Sequence, residues 1–344
     1  MKPAEMLQGK KLDGGWVVGD KVDLGPDPTG GYFSLSYEAT SPEGVRVFLK
    51  ALDYSGAFST EDPARELQRM TQAYNFERDI VAACRGMDRV VRAITDGKIT
   101  IEGAEAGGIV EYIIFELADG DIRKHLAEIS DLDLAWKMRC LHHVATGLKQ
   151  LHSAGIAHQD VKPSNVLVFN GRTSKVADLG RASKRGQQSP HEECECAGDM
   201  SYGPPELLYG FVDPDWTKRR LGCDAYLLGS MIFFMFSGVS ATALLMQQLA
   251  DEHRWQAWDS AYDAVLPYLR EAFGRVIETF SAQISNEHLK REITGLVREL
   301  CDPDPNVRGD STNRQRGCNP FSMERYLTRF DLLSRRADLG HFRN

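Results

Sequence analysis

The first third of the chain alternates apolar and polar residues in the way that is typical of β-strands. Two such stretches, "GGYFSLSYEAT" and "GVRVFLKAL", are separated by the turn sequence "SPEG". Pro63 to Arg85 changes to helical spacing, with Met70, Tyr74 and Val81 among the side chains available for a buried face. Two more strands are predicted in "RVVRAITDGKITI" and "GIVEYIIFEL". The pattern predicts a β-rich unit with one main helix.

After "ADGD" the hydrophobic pattern becomes helical. The stretch "LDLAWKMRCLHHVATGLKQLHSAG" predicts a long helix that ends at Gly155. Short strands are predicted at "NVLVF" and "SKVADLG", and the remainder is mainly helical apart from the loop "CDPDPNVRGD". The sequence therefore predicts an α+β fold. A small β-rich N-terminal lobe, residues 1–119, precedes a larger α-helical lobe, residues 120–344, with the junction near Ala118 to Gly120.

Composition and charge narrow the class of protein. The 344 residues are 42% hydrophobic and 26% charged, which is ordinary for a globular chain with a substantial core. The net charge of −8 is spread without a long single-sign block, so a nucleic-acid partner is not expected. Seven scattered cysteines without a paired CxxC framework favour reduced thiols. The N-terminus lacks the apolar core of a signal peptide, and the longest apolar run, Ala225 to Phe236, is too short to span a bilayer. We expect a soluble, cytoplasmic protein that does not associate with membranes.

The ten residues "HQDVKPSNVL" carry three groups suited to phosphoryl chemistry. Asp160 can take a proton, Lys162 can hold a phosphate, and Asn165 can ligate a hard metal ion. The alternative interpretation is a polar turn before a strand.

The order of the motifs around this loop resembles the protein kinase superfamily, specifically the eukaryotic-like (Hanks-type) Ser/Thr protein kinases. The resemblance covers nearly the whole chain, from about residue 20 to about residue 336. It implies a bilobal protein-kinase-like fold with one catalytic domain. It also implies that Asp160 receives the proton of the substrate hydroxyl, that Lys162 neutralises the transferring phosphoryl group, and that Asn165 and Asp178 ligate magnesium. The implied cofactors are ATP and Mg²⁺, with Mn²⁺ as an alternative metal.

The resemblance assigns a phosphate-binding loop and a lysine. The stretch "TGGYFSLSYEA" resembles the family's glycine-rich loop, with Gly31 as its second glycine, Phe33 as the aromatic residue at its tip, and Ser34 in place of the third glycine. Thr29 or a displaced Gly25 stands for the first glycine, and Gly30 lies in the same turn. Lys50, in "VFLK", matches the strand lysine that holds the α- and β-phosphates of ATP.

A helix carboxylate should pair with Lys50. In "NFERDI" the best alignment puts Asp79 at that position, and Glu77, which points to a different face of the helix, is the alternative. An aspartate is one methylene shorter than the family's glutamate, so the helix would have to lie closer or a water would have to bridge the pair.

The stretch "YIIFELADGD" resembles the hinge that binds adenine. By this resemblance Phe115 closes the back of the adenine pocket, and the backbones of Glu116 and Ala118 pair with the adenine edge. Asp121 accepts hydrogen bonds from the ribose hydroxyls. A buried strand leading into a turn is the structural alternative, and both descriptions can hold together.

Three residues match structural positions of the family and two depart from it. Glu206, in "PPE", should pair with Arg308, and Asp224 should anchor the backbone of the catalytic loop. Gln159 replaces the arginine that usually precedes the catalytic aspartate, and Asp199 replaces a threonine that links the catalytic aspartate and lysine. An aspartate at 199 could accept from the lysine, but it should also repel Asp160 and favour its protonated form.

The departure at Gln159 bears on regulation. In many relatives the arginine there pairs with a phosphorylated residue of the activation segment, which here is Asp178 to Glu206. A neutral glutamine cannot do so. We therefore expect basal activity without phosphorylation of this segment, with opposite charges inside it, those of Arg181, Lys184 and Arg185 and of "EECE", helping to order it.

The leading interpretation is an ATP-dependent protein kinase that phosphorylates Ser/Thr hydroxyls of a protein substrate, including its own. A pseudokinase that acts as a nucleotide-binding interaction module is the main alternative, favoured by Asp79, Ser34 and Asp199. A small-molecule kinase of the same fold is less favoured, because Lys162 and the "PPE" segment match the protein-kinase branch. The aromatic-rich residues 242–299 predict core packing first and a docking surface for a partner protein second.

Overall fold

The computed structural model describes residues 2–23, 34–104, 108–128, 133–194 and 196–342. Its strands are β1 Val17–Lys21, β2 Ser34–Thr40, β3 Arg46–Leu52, β4 Ala93–Thr100, β5 Ile109–Glu116, β6 Gly120–Asp121, β7 Ile156–Ala157, β8 Val166–Phe169, β9 Thr173–Val176 and β10 Ser183–Lys184. Its α-helices are α1 Pro63–Ala83, α2 Ile122–Glu128, α3 Leu134–Ser153, α4 Pro205–Leu208, α5 Gly222–Ser237, α6 Ala241–Gln247, α7 Tyr262–Ala282, α8 Glu287–Cys301, α9 Ser311–Gln315 and α10 Glu324–Asp338.

The N-terminal half is built on a five-stranded antiparallel sheet in the order β1-β2-β3-β5-β4. Successive side chains of a strand point to opposite faces. In β3 the apolar Val47, Leu49 and Ala51 are buried in the cluster on the outer face. Lys50 lies between them and is directly opposite Ile113 of β5, whose side chain belongs to the core on the other face. The alternation therefore turns Lys50 towards the interior side of the sheet.

The N-terminal residues cover the outer face of this sheet. A 3₁₀ turn at Pro3–Met6 precedes the fully buried Leu7, and Leu12 is buried in the same cluster. The hydroxyl of Tyr37, on β2, donates to the carbonyl oxygen of Ala4 over 2.7 Å. This segment is thus part of the N-terminal core.

The C-terminal half is mainly helical. Helix α3 begins where Asp133 accepts from the N–H of Ala135, and it ends before Gly155, whose φ of 69° suits a glycine stop. Helix α5 is apolar on nearly every side and is buried among its neighbours, and α10 packs on α3. Strands β8 and β9 form a hairpin, which β6 joins as a third strand, and β7 pairs with β10.

The fold is α+β, with a β-sheet region before a helical one, which confirms the prediction from the sequence. Residues 242–299 contain most of α6, all of α7 and most of α8, and the face of α7 that carries Val265, Leu269 and Val276 is buried. A docking surface in this region stays a prediction. Over the ranges that the structure describes, no single helix has both the length and the apolar composition to cross a membrane. One bent pair, Thr217–Ser237 with Ala241–Gln247, meets those criteria only when its two parts are taken together.

A buried histidine should make the stability of the fold depend on pH. His143, on α3, accepts from the N–H of Ser174 through Nδ1 over 3.2 Å. Burial, with the charges of Arg89, His142 and Arg139, lowers the pKa of His143 to about 4. The unfolded chain therefore takes up this proton first as the pH falls, so stability is lost between the unfolded pKa of about 6.5 and the folded pKa.

We expect His143 to lower the free energy of unfolding by about 2 kcal/mol between about pH 7 and about pH 5. Urea unfolding at the two pH values measures this change. His143→Asn keeps an acceptor near Nδ1 but does not titrate, so its loss over the same interval should be about 2 kcal/mol smaller. An equal loss in both proteins would contradict the assignment.

Candidate active site

Lys50 is held by two carboxylates. Its ammonium lies 2.7 Å from Glu77 Oε1 and 3.3 Å from Asp178 Oδ1. Burial disfavours the charge of Lys50, but the charges and hydrogen bonds of Asp178 and Glu77 outweigh it and raise its pKa above the ordinary value. Burial also disfavours the ionised form of Asp178, but the charge and hydrogen bond of Lys50 hold the pKa of Asp178 below the ordinary value. The cation of Lys50 is thus fixed between helix α1 and the "ADLG" stretch.

The prediction that Asp79 is the partner of Lys50 is wrong. Residues 70, 74, 77 and 81 recur at helical spacing on the buried face of α1, and Glu77 is one of them. Asp79 is two residues further on, about 200° around the helix, where its side chain is 60% exposed and pairs with the neighbouring Arg78. Neither a closer helix nor a bridging water is needed, because the carboxylate of Glu77 contacts the ammonium of Lys50 directly.

The predicted catalytic loop, residues 158–167, is connected to α5 by the buried carboxylate of Asp224. Asp224 Oδ2 accepts from the N–H of His158, and Oδ1 accepts from the N–H of Gln159, each over 2.8 Å. The imidazole of His152 contacts Oδ2 over 2.8 Å. Burial opposes the charge of Asp224, but His152, the charge of His158 and the N–H of Gln159 hold the pKa of Asp224 below the ordinary value. The anchoring role expected for Asp224 matches this geometry.

Asp160 lies at the centre of the polar groups of the loop. Its Oδ1 accepts from the N–H of Asp199 over 2.8 Å, and its Oδ2 lies 3.3 Å from the ammonium of Lys162. Burial, opposed by Lys162 and reinforced by Asp178, raises the pKa of Asp160. The backbone N–H of Asp199 lowers it. The sequence predicted a raised pKa through repulsion from Asp199, whereas burial is the main cause in the structure.

Asp199 contacts Lys162, the lysine that is expected to be catalytic. Its Oδ2 lies 3.2 Å from the ammonium of Lys162, and its Oδ1 accepts from the hydroxyl and N–H of Ser201. Burial opposes its ionisation, but Ser201 and Lys162 hold the pKa of Asp199 below the ordinary value. Asp199 can therefore hold Lys162 as a charged partner, which the sequence allowed for.

Asn165 and Asp178 have the donor atoms for a hard metal ion. The side-chain amide of Asn165 donates to the carbonyl oxygen of Asp160 over 2.8 Å and to Asp160 Oδ2 over 2.9 Å. Its Oδ1 is consequently turned away, buried and without a hydrogen-bond partner among the described residues. A buried acceptor of this kind calls for a partner, and an amide oxygen beside a carboxylate suits Mg²⁺ or Mn²⁺. The residues fit the metal that the sequence implies.

Backbone strain is concentrated here. Gln159 and Asp178 have positive φ values of 69° and 61°, which are uncommon for residues other than glycine. Gly198 passes so close to the loop that an added Cβ would lie 2.3 Å from the carbonyl oxygen of Gln159 and 2.8 Å from Asp160 Oδ1. Gly198 was not predicted from the sequence as part of the site, although it directly precedes Asp199.

The predicted hinge has mixed support. Phe115 is partly buried against the main core, and the side chain of Glu116 pairs with Lys175 at 2.6 Å. The N–H of Ala118 has no hydrogen-bond partner within the described residues, which suits a donor to adenine. Asp121 pairs with Arg123 at 2.7 Å and also accepts from the start of α2, so its contact with ribose stays a prediction.

Part of the predicted phosphate loop cannot be placed. Gly30, Gly31 and Phe33 lie outside the described residues, and Ser34 is the first residue of β2.

Glu206 and Arg308 form the predicted pair, with two contacts of 2.5 and 2.7 Å. The predicted metal ligands, catalytic pair and strand lysine therefore meet in one place, between the sheet, α1 and the catalytic loop.

Comparisons with known proteins give the family. Residues 31–315 match the model of the protein kinase domain. The probable serine/threonine-protein kinase PBL28 of Arabidopsis thaliana is 26% identical over 225 residues, which are 62% of this chain and 53% of that protein. The probable serine/threonine-protein kinase PknB of Lactococcus lactis subsp. lactis is 26% identical over 187 residues, 52% of this chain and 29% of that protein. The serine/threonine-protein kinase PTK2/STK2 of Saccharomyces cerevisiae is 26% identical over 182 residues, 48% of this chain and 22% of that protein.

The chain thus spans about half the length of the first of these relatives and less of the other two. The match to the domain, however, extends over most of the chain. This protein belongs to the protein kinase family.

Proposed function

We propose that this kinase transfers the γ-phosphoryl group of ATP to Ser or Thr hydroxyls of a protein substrate, its own chain included, and that it acts in the cytoplasm. One observation carries the proposal. Lys50, Asp160, Lys162, Asn165 and Asp178 are all present: Lys50 pairs with Asp178, and Asp160 contacts both Lys162 and Asn165. The two groups lie side by side, because the N–H of Ala177, directly before Asp178, donates to the carbonyl oxygen of Asn165 over 2.8 Å. The Ser/Thr class is supported by the names of the relatives, which are serine/threonine-protein kinases.

Each residue has a defined task in this reaction. Asp160 orients the acceptor hydroxyl and takes up its proton, and Lys162 offsets the negative charge that develops on the transferring group. Lys50, fixed by Glu77, holds the α- and β-phosphates. Asn165 Oδ1 and the carboxylate of Asp178 would hold Mg²⁺ or Mn²⁺. When bound, the metal neutralises phosphate charge and positions the phosphates.

The proposal is tested with the purified chain, radiolabelled ATP and Mg²⁺. Acidic and basic protein acceptors are offered in separate reactions, and the labelled products are hydrolysed to identify the phosphoamino acids. We expect label on serine or threonine of an acceptor or of the chain itself. Nucleotide binding without any transfer would favour the pseudokinase, and label confined to an added small-molecule alcohol would favour the small-molecule kinase.

The ion pair of Lys50 with Glu77 predicts non-additive losses of activity. We expect Lys50→Met and Glu77→Gln each to lower the transfer rate by about tenfold or more, since both disturb the same phosphate-binding cation. The double variant should lose little more than either single variant. Transfer rates of the four proteins complete the cycle.

Asp79→Asn is the matched control for Glu77→Gln. It removes the same charge from the same helix but from the exposed face, so we expect a change in rate of less than about twofold. Coupling of Lys50 with Asp79 and additivity with Glu77 would restore the pairing first predicted from the sequence.

A further inference from the structure

A buried arginine lies beside the catalytic loop. Arg220 belongs to a π-helical turn, Thr217–Leu221, directly before α5, and only 1% of its side chain is exposed. Its Nη1 donates to Oε1 of Gln159 over 3.2 Å, and its Nη2 lies 3.0 Å from Oε1 of Glu192. A guanidinium removed from water needs a nearby carboxylate, because an uncompensated buried charge is costly. Within the described part of the chain, Glu192 is the carboxylate that Arg220 pairs with.

On one side, Arg220 reaches the catalytic loop through Gln159. The side-chain amide of Gln159 donates to the carbonyl oxygen of Arg220 over 2.8 Å and contacts Asp224 Oδ1 at 3.3 Å. Gln159 directly precedes Asp160 and has the positive φ described above. The orientation of Arg220 is therefore transmitted to the residue next to the proposed proton acceptor.

On the other side, Arg220 and its neighbour bind the activation segment. Nη2 of Arg219 donates to the carbonyl oxygens of Glu192 and Cys194 over 3.1 and 3.0 Å. Nη1 of Arg181 contacts Nδ1 of His191 over 3.1 Å. Burial and the charge of Arg181 lower the pKa of His191 to about 4, so its neutral ring can accept this hydrogen bond. Residues 191–194 are thus bound through side chains and backbone together.

The charges at this junction do not balance without Glu192. Burial and the charge of Arg220 lower the pKa of Arg219, and the charge of Glu192 opposes that shift. Two guanidiniums therefore share one carboxylate, at 3.0 Å from Arg220 and 3.6 Å from Arg219. The Nε atoms of both arginines are buried and have no hydrogen-bond partner among the residues described. Among the described residues, the carboxylate of Glu192 pairs with these two arginines outside the segment and not with a basic residue inside it.

The serines of the activation segment do not occupy the position that Glu192 has beside the two arginines. Ser183 and Ser189 are buried, and their hydroxyl oxygens accept from Trp216 Nε1 and from the N–H of His191. The hydroxyl of Ser201 donates to Asp199, on the side of Lys162. Within the part of the segment that the structure describes, Glu192 is the anionic side chain that pairs with Arg219 and Arg220.

We infer that Glu192 and Arg220 are positioning residues for phosphoryl transfer: the fixed carboxylate of Glu192, held by Arg220, couples the activation segment to Gln159 and orders both without a phosphorylated residue. This inference rests on the proposed function. It names the cation and the anion that make phosphorylation of the segment unnecessary.

The test compares two variants that each remove one negative charge from adjacent positions of the full chain. Glu192→Gln breaks the pair, whereas Glu193→Gln alters an exposed side chain that forms no ion pair within the described residues. Both proteins and the wild type are treated with phosphatase before assay. We expect Glu192→Gln to lower kcat by about tenfold or more with KM for ATP changed by less than about twofold, because the contact is to the catalytic loop. Glu193→Gln and the phosphatase-treated wild type should keep kcat within about threefold of the untreated wild type.

Hydrogen exchange supplies a readout that does not depend on activity. We expect faster exchange in residues 186–200 and at the amides of the catalytic loop in Glu192→Gln, with the rest of the chain unchanged. Equal kcat values for the two variants, a general rise in exchange across the chain, or a wild type that loses its activity with phosphatase would each overturn the inference. If no protein transfers phosphate, the proposed function fails, and unchanged exchange in Glu192→Gln would then reject the positioning role separately.

Discussion

Asp160→Asn lowers the rate of phosphoryl transfer by about 10²- to 10⁴-fold and leaves the protein folded and able to bind ATP; this is the result that we expect. The substitution removes the proton acceptor, whose contribution as a general base is of that order. The amide oxygen of the new side chain can still accept from the N–H of Asp199. The amide nitrogen that replaces Oδ2 can no longer accept from Asn165 or pair with Lys162, but the backbone carbonyl oxygen of residue 160 still holds the amide of Asn165. Single-turnover transfer and fluorescence titration with nucleotide measure the two quantities.

Asp178→Asn distinguishes the binding of metal and nucleotide from the uptake of the acceptor proton. Because Asp178 pairs with Lys50 and is the proposed carboxylate ligand of the metal, its loss should weaken nucleotide binding in the presence of Mg²⁺ as well as transfer. Asp160→Asn should leave that binding within about threefold of the wild type. Transfer by Asp160→Asn at the wild-type rate would show that the acceptor proton goes elsewhere.

Arg308→Met should destabilise the protein by about 3–5 kcal/mol, since it leaves a buried carboxylate without its partner. Arg308 is fully buried, contacts both carboxylate oxygens of Glu206, and its Nε donates to the carbonyl oxygen of Asp302 over 3.0 Å. Its guanidinium also lies over the ring of Tyr226, 4.9 Å from the centroid. Urea unfolding at neutral pH measures the change.

The exposed pair of Arg275 with Glu271 is the control for the buried one. Both of its side chains are largely exposed, at 44% and 72%, so Glu271→Gln should cost less than about 1 kcal/mol. Glu206→Leu combined with Arg308→Met should be less destabilising than the sum of the two single changes, because neither charge is then left unpaired. A loss for Arg308→Met no greater than for Glu271→Gln would rule out an important structural role for the buried pair.

The catalytic loop was predictable because its parts are close along the chain. Asp160, Lys162 and Asn165 lie within six residues, so the local backbone alone brings their side chains together. Asp178 follows after one hairpin, β8 and β9, whose alternating apolar residues were visible in the sequence. Short connections leave few ways to place such groups.

The helix partner of Lys50 was mispredicted, although the helical period contained the answer. The apolar positions Met70, Tyr74 and Val81 are spaced by four and seven residues, and position 77 falls on the same face. The alignment of "NFERDI" with the family motif did not take this helical spacing into account and favoured Asp79. Burial on the shared face, and not the nearest match in the motif, decides which carboxylate reaches the lysine.

Contacts between distant residues that no family motif marks could not be predicted from the sequence. Arg220 meets Gln159 across 61 positions of the sequence, and the run "TKRRLG" resembles any solvated basic turn. Leu7, which follows Met6, and Leu12 likewise lie in a stretch without the period of a helix or strand, yet both are buried. Such residues acquire their role only when the sheet and helices around them have been assembled.

The way in which the chain ends pack has a practical consequence for producing the protein. The family match spans residues 31–315, but the core extends past both limits, to Leu7 and Leu12 on one side and to Tyr326 and Phe330 of α10 on the other. Trimming a recombinant protein to the matched residues would uncover the outer face of the sheet and the side of α3 on which α10 packs. Uncovered apolar faces of this kind promote aggregation. Expression boundaries are better chosen from the packed core than from the homology match.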